Sequence, residues 1–184
     1  RRFQVSTRNR SLTDTRSVRY SLRSYCLPGL GIDPDERSHK MSEITDLLPH
    51  RKPFLYVDGL ESFTEDRVVG YKTFSSDEYF FQGHFPDYPI VPGVILVESM
   101  AQCGGAGVKA LGTIGEALFF LAGVEKAKFR RQVGPGETIR MEIENLKVSP
   151  RMLRQKGVAY VGEETAAEAQ WLCLVGNAPA NAPT

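Results

Sequence analysis

The sequence predicts an α+β fold in which one long, buried helix packs against an antiparallel sheet. The first observation is an apolar stretch from Val94 to Val108, where Glu98 is the sole charged residue. The second is a set of β-forming segments on both sides of that stretch, each bounded by turn residues. A helix that is apolar nearly all round is buried, and an antiparallel sheet is the layer that accounts for the remaining segments.

The helix begins at Pro92 and Gly93, because proline suits the first turn, where a missing N–H costs little. Gly104, Gly105 and Gly107 each cost a helix about 1 kcal/mol relative to alanine, so we expect another backbone to pack closely there. A membrane span needs roughly 20 apolar residues. This stretch is shorter and contains polar side chains, so we predict no span.

The other elements follow from local patterns. A short helix is predicted over 42–48, capped by Ser42 or Thr45. Clean alternation predicts a strand over 138–148, with a bulge near Asn145 where the phase slips. Composition and turn residues predict further strands over 54–60, 67–74, 117–129, 153–161 and 166–175.

The chain divides into a basic leader and linker over 1–40, one folded domain over 41–176 and a frayed tail over 177–184. A length of 184 residues suffices for one domain with a real core. A net charge of +1 argues against a wholesale nucleic-acid binder. Cys26, Cys103 and Cys173 show no metal spacing, so we expect free thiols.

Two titratable residues stand out around the start of the helix. His84 lies in a rigid turn between Gly83 and Pro86, and Glu98 lies within the apolar helix, where a carboxylate needs a partner or a task. Taken singly, each also fits a structural role: a hydrogen-bonded turn histidine, or a carboxylate paired with an arginine or a hydroxyl. Together they suggest an acid/base pair. The free N–H groups at Gly93 and Val94 suit a carbonyl oxygen or oxyanion.

The motif G-H-F-P-x-x-P-I-x-P-G-V-x-x-x-E-x-x-A-Q resembles that of the β-hydroxyacyl-acyl carrier protein dehydratases of type II fatty acid synthesis, the FabZ type. The likeness begins at L-L-P-H-R-K-P-F-L-Y-V-D, continues through F-L-A-G-V-E-K-A-K-F-R-R-Q-V-G-P-G-E, and covers about residues 43–176. His84 and Glu98 are 14 residues apart, which is similar to the family's spacing. Glutamate at 98 favours the plain dehydratase over the related isomerase branch, which carries aspartate.

The resemblance implies a hot-dog fold, in which the sheet wraps a long central helix. It implies dehydration of 3-hydroxyacyl groups on acyl carrier protein, without a cofactor. His84 would be the base, Glu98 or a water that it holds the acid, and the Gly93 N–H the donor to the thioester carbonyl. The family also implies a homodimer in which His and Glu of each site come from different subunits, and a trimer of dimers as a larger assembly.

Two larger groups of residues are candidates for substrate contacts, with a packed core and a solvated strand face as the respective alternatives. An apolar acyl tunnel would use Phe81, Phe85, Ile90, Val94, Val97 and Phe129. Docking of the acidic carrier protein would use the basic residues Lys126, Lys128, Arg130, Arg131, Arg151 and Arg154, with Lys156 beside them.

Competing functions on this fold are an acyl thioesterase and a non-catalytic acyl-binding subunit. A metal site using His50 and His84 is not expected, because no third ligand has useful spacing, and we assign His50 a structural role. Residues 1–40 have the composition of an organelle transit peptide. We favour the plastid over the mitochondrion, or over the cytoplasm if these residues carry no targeting signal.

Overall fold

The computed structural model of the protein describes residues 43–177. The predicted leader, and the predicted tail apart from Asn177, lie outside these residues. Helix α1 spans Ile44–Leu47 and helix α2 spans Gly93–Ala110. A 3-10 turn covers Tyr79–Gln82. The strands are β1 Gly59–Phe63, β2 Arg67–Thr73, β3 Leu118–Phe129, β4 Thr138–Ser149, β5 Met152–Val161 and β6 Glu164–Gly176.

The six strands form one antiparallel sheet in the order β1-β2-β4-β5-β6-β3. Helix α2 contacts all six strands, so the sheet wraps around it. The predicted order of two strands, a helix and four strands is therefore confirmed. Among the described residues, no helix is long and apolar enough to cross a membrane.

Helix α2 is buried along almost its whole length. From Ile95 to Val108 every residue is buried except Glu98. This confirms the prediction that apolar residues on more than one face would be covered. It also leaves one place on the helix, at Glu98, where a side chain reaches a less buried environment.

Side chains of the sheet pack directly against the helix glycines. The prediction that another backbone packs there was wrong. A Cβ atom at Gly107 would overlap the branched side chain of Val68, and one at Gly104 would overlap the amide of Gln155. Gln155 is itself fully buried, and its Oε1 accepts a hydrogen bond from Trp171 Nε1 at 3.2 Å. The glycines therefore let large side chains approach the helix axis.

The first strand begins five residues later than predicted. Residues 54–58 are not strand, and β1 continues to Phe63, beyond the predicted end at residue 60. The reason is that the Tyr56 N–H donates to Gln102 Oε1 of α2, at 2.8 Å, instead of to a neighbouring strand. Strand pairing starts only at Gly59, opposite Tyr71.

Other local predictions met mixed results. The register of β4 against β5 shifts between Asn145 and Lys147, which confirms the predicted bulge. Helix α1 is a single turn whose N-cap is Glu43, without a side-chain cap, so the predicted cap at Thr45 was wrong; Ser42 lies outside the described residues. Cys103 and Cys173 are free, buried thiols.

We predict that Gly107→Ala lowers the free energy of unfolding by about 1–3 kcal/mol, because the added methyl group overpacks the core against Val68. This loss outweighs the gain in helix propensity. Gly115→Ala is the control, since no atom lies within 4 Å of the added methyl group. Urea unfolding of both variants measures the difference, and equal stabilities would contradict this account.

Candidate active site

The turn that carries His84 is fixed by backbone hydrogen bonds. The N–H groups of Gly83 and His84 both donate to the carbonyl of Phe80, at 3.1 and 2.8 Å. Phe80 and Phe81 are buried and anchor the preceding 3-10 turn in the core. The sequence therefore leads from buried aromatic side chains directly to a half-buried histidine.

The ring of His84 has a defined orientation. Its Nδ1 lies 3.0 Å from the carbonyl oxygen of Ile90, and the Ile90 N–H donates to the His84 carbonyl, also at 3.0 Å. Because a carbonyl only accepts, this contact places the hydrogen on Nδ1 and leaves Nε2 as the basic nitrogen. The ring of Phe85 stacks on the imidazole, with centroids 4.3 Å apart.

The start of α2 is fixed from two directions. The N–H of Val91 donates to the carbonyl of Val133 at 2.7 Å, and both residues are buried. The ring of Phe129 lies against Gly93, where a Cβ atom would come within 2.8 Å of it. Gly93 opens the helix, and the first N–H groups of a helix have no acceptor within it. These N–H groups are therefore available to an anionic oxygen.

Glu98 is oriented by Gln102, one helical turn further along. Gln102 Nε2 donates to Glu98 Oε1 at 2.9 Å and to the carbonyl of Phe54 at 3.0 Å. Gln102 Oε1 accepts from the Tyr56 N–H. The amide is thus bonded at both ends, and the Glu98 side chain is 19% exposed.

His50 also lies beside Glu98, which the sequence analysis did not foresee. Its Nε2 is 3.9 Å from Glu98 Oε1, and its Nδ1 is buried without a hydrogen-bond partner among the described residues. Burial lowers the pKa of His50, Glu98 opposes this shift, and Arg51 adds to it. The two side chains, with Gln102, Phe119 and Cys173, line a cavity of about 90 Å³. The sequence around His50 gave no signal of this contact, because Glu98 lies 48 residues away along the chain.

The structure does not bring His84 and Glu98 of one chain into contact. Within residues 43–177 no hydrogen bond or ion pair joins them: His84 is bonded to Ile90, and Glu98 to Gln102. The same residues contain no cluster of three or more side chains suited to a metal ion.

The six candidates for the acyl tunnel fall into two groups. Phe81 and Val97 are buried in the core, and Ile90 is half-buried. Phe85, Val94 and Phe129 are 50%, 71% and 52% exposed. Phe85 and Val94 directly follow His84 and Gly93 in the sequence. The ring of Phe129 lies against Gly93.

Most of the candidate docking residues are held by carboxylates of the same chain. Lys128 and Arg130 share Glu168, Arg131 binds Glu137 and Glu164, and Arg154 binds Glu125. Lys156, beside them in sequence, binds Glu144. Lys126 and Arg151 form no ion pair with the described residues.

The family model of the FabA-like domain matches residues 48–170. The chain belongs to the FabA-like family. It is 44% identical over 136 residues to the 3-hydroxyacyl-[acyl-carrier-protein] dehydratase FabZ of Pelotomaculum thermopropionicum, covering 73% of this chain and 97% of that one. The FabZ of Desulforamulus reducens is 44% identical over 137 residues, covering 74% and 96%.

A solved structure supports the fold of this FabA-like chain. The dehydratase heterocomplex ApeI:P from Xenorhabdus doucetiae contains a chain that superposes with a TM-score of 0.62 at 15% identity. The match covers 75% of this chain and 92% of that one. Identity this low shows the fold alone, and it agrees with the six-stranded sheet wrapped around α2, the hot-dog arrangement that the family resemblance implied.

We predict that Gln102→Leu lowers the free energy of unfolding by about 1–3 kcal/mol, because it leaves the buried Tyr56 N–H without its acceptor. Gln82→Leu, at an exposed position, is the matched control and should change stability little. Chemical denaturation of the two variants checks this. If both were as stable as the wild type, the amide of Gln102 would not have the structural role described.

Proposed function

We propose that this chain catalyses dehydration of (3R)-3-hydroxyacyl-acyl carrier protein to the trans-2-enoyl form in fatty acid elongation. The observation that carries the proposal is the 44% identity to a FabZ dehydratase over 97% of that protein's length. The G-H-F-P turn and the 14-residue interval to Glu98 are consistent with it. The thioesterase and the non-catalytic acyl-binding subunit are not favoured by these relatives.

The geometry suggests a role for each group in the elimination. The basic Nε2 of His84 takes the α-proton, and the electrons of that C–H bond form the new double bond. The carbon–oxygen bond at the β-carbon breaks, and the leaving hydroxide takes a proton from Glu98, or from a water that Glu98 holds, and departs as water. The Gly93 N–H donates to the thioester oxygen, on which negative charge develops.

The chemistry requires both residues in one site, yet His84 and Glu98 of a single chain have separate partners. Strand β3 lies at the edge of the sheet and exposes Phe120, Leu121 and Val124. A long, apolar, unpaired edge invites pairing with another chain. We therefore propose a homodimer joined along β3, with His84 of one subunit facing Glu98 of the other, and a trimer of dimers as the larger assembly.

The exposed apolar residues near the helix start suit an acyl chain. We propose that Phe85, Val94 and Phe129 line the tunnel entrance once two subunits meet, because exposed apolar groups that cluster mark a binding surface. Phe81 and Val97 would support the tunnel entrance from the core, and Ile90 is intermediate in exposure.

The carrier protein is acidic, so its docking needs basic side chains that are not already neutralised. Of the six candidates, Lys126 and Arg151 meet this condition, because neither forms an ion pair with the described residues. Lys126 sits at the bulge in β3 between Glu125 and Lys128. We propose that these two residues contact the carrier protein at separate points of the sheet, Arg151 beside Val175 and Lys126 beside Gln170. Lys128, Arg130 and Arg154 would add to the attraction through their electrostatic field.

The composition of residues 1–40 supports the further proposal that they direct the chain to the plastid. The relatives described above are bacterial. Import of the full chain into isolated chloroplasts, compared with mitochondria, tests this proposal. Processing by mitochondria alone, or by neither organelle, would contradict it.

We predict that His84→Ala and Glu98→Gln each lower kcat by at least about 100-fold, because a positioned acid or base contributes roughly 10²–10⁴-fold. Glu116→Gln, an exposed carboxylate in the loop after α2, is the control and should retain full activity. Absorbance of the conjugated enoyl thioester measures turnover. Full activity of either site variant, in a folded protein, would rule out the assigned role.

We predict that the two inactive variants restore activity when they are unfolded together and refolded as a mixture. Half of the dimers are then mixed, and one of their two sites has both native residues, so about a quarter of wild-type activity returns. Each variant refolded alone is the control. If both residues of a site came from one chain, the mixture would stay inactive.

A further inference from the structure

The side chain of Arg131 is occupied by several partners of its own chain. Its Nη1 and Nη2 donate to the two carboxylate oxygens of Glu137, at 3.0 and 2.7 Å. Nη1 also donates to the carbonyl of Gln132, and Nε donates to Glu164 of strand β6. A guanidinium has five N–H donors, and the Arg131 side chain already forms four hydrogen bonds within its own chain. The bidentate pair with Glu137 is the arrangement that fixes geometry best.

The pair of Arg131 and Glu137 determines the shape of the turn between β3 and β4. Glu137 Oε2 accepts a hydrogen bond from the Gly134 N–H at 2.7 Å. The hydrogen bond from Arg131 lowers the pKa of Glu137, so the carboxylate stays charged at neutral pH. The turn is also bonded to the residue that follows β2, because the Phe74 N–H donates to the Glu137 carbonyl at 3.0 Å.

This turn holds the segment that orients the candidate site. The buried Val133 accepts a hydrogen bond from the Val91 N–H at 2.7 Å. Val91 follows Ile90, whose carbonyl orients His84, and precedes Gly93 by two residues. Phe129, two residues before Arg131, packs its ring on Gly93. The residues on either side of Arg131 therefore contact the helix start, and the guanidinium fixes their relative position.

We propose that Arg131 is a positioning residue for the dehydration, which acts through Glu137, the 133–137 turn and Val91 to hold the His84 imidazole and the Gly93 N–H in place. Arg131 was a candidate for carrier-protein docking because it is basic, but its contacts favour this other role. The inference rests on the proposed function, since it concerns the same site.

The test compares variants on two substrates. Arg131→Gln and Glu137→Gln break the bidentate pair from either side. Arg140→Gln is the matched control, because Arg140 likewise binds two carboxylates, Glu61 and Glu142, on the exposed face of the sheet. Each variant is assayed as the folded oligomer with 3-hydroxybutyryl-acyl carrier protein and with a small 3-hydroxybutyryl thioester that has no carrier.

We expect Arg131→Gln to lower kcat by roughly 10- to 100-fold on both substrates, because small displacements of positioned groups cost that much. Its KM for the small thioester should change little, Glu137→Gln should show the same pattern, and Arg140→Gln should resemble wild type. A rise in KM confined to the carrier-linked substrate would overturn the proposal in favour of docking. An equal loss of kcat in Arg140→Gln would overturn it in favour of a general loss of stability.

A second readout does not depend on activity. Amide hydrogen exchange at Val91 reports directly on its bond to Val133, and local opening raises the exchange rate. We expect faster exchange at Val91 in Arg131→Gln and an unchanged rate in Arg140→Gln. An unchanged rate in both variants would overturn the proposed positioning. Inactivity of folded wild type on both substrates would contradict the dehydratase function, while the exchange rates would still show whether Arg131 holds Val91 in place.

Discussion

The structure depends on the burial of an apolar helix that carries one carboxylate. The sheet must wrap α2 on nearly every side, and it does so because glycines in the helix admit the side chains of Val68 and Gln155. The carboxylate of Glu98 cannot share that environment without compensation. It is placed at the one position between Ile95 and Val108 that is less buried, and Gln102 ties it to the chain near Phe54.

A second constraint follows at the amino end of the same helix. Three residues within residues 90–93 are held in place. Ile90 is hydrogen-bonded to His84, Val91 is hydrogen-bonded to Val133, and Gly93 packs against the ring of Phe129. The carbonyl of Ile90 orients His84, so the fixed position of this short segment also fixes the imidazole ring. Preorganised groups of this kind stabilise a transition state without reorganising during the reaction.

Much of this arrangement was predictable because it is local. Alternation along 138–148 gave β4 and its bulge, and the apolar run gave α2. The motif around His84 and Glu98 gave the candidate site by resemblance. What was missed depends on long-range contacts. The start of β1 is delayed by Gln102, which is 46 residues from Tyr56. Glu164 binds Arg131 although 33 residues separate them in the sequence. The basic residues around the end of β3 therefore gave no sign that Arg131 was already paired.

The absorbance of the conjugated enoyl thioester, recorded from both directions of the reaction, shows whether the protein is a dehydratase. With 3-hydroxybutyryl-acyl carrier protein the signal should rise, and with crotonyl-acyl carrier protein it should fall, until both mixtures reach the same equilibrium. Release of free thiol instead would contradict a dehydratase and indicate a thioesterase. A folded oligomer that changed neither signal would contradict catalysis on these substrates altogether.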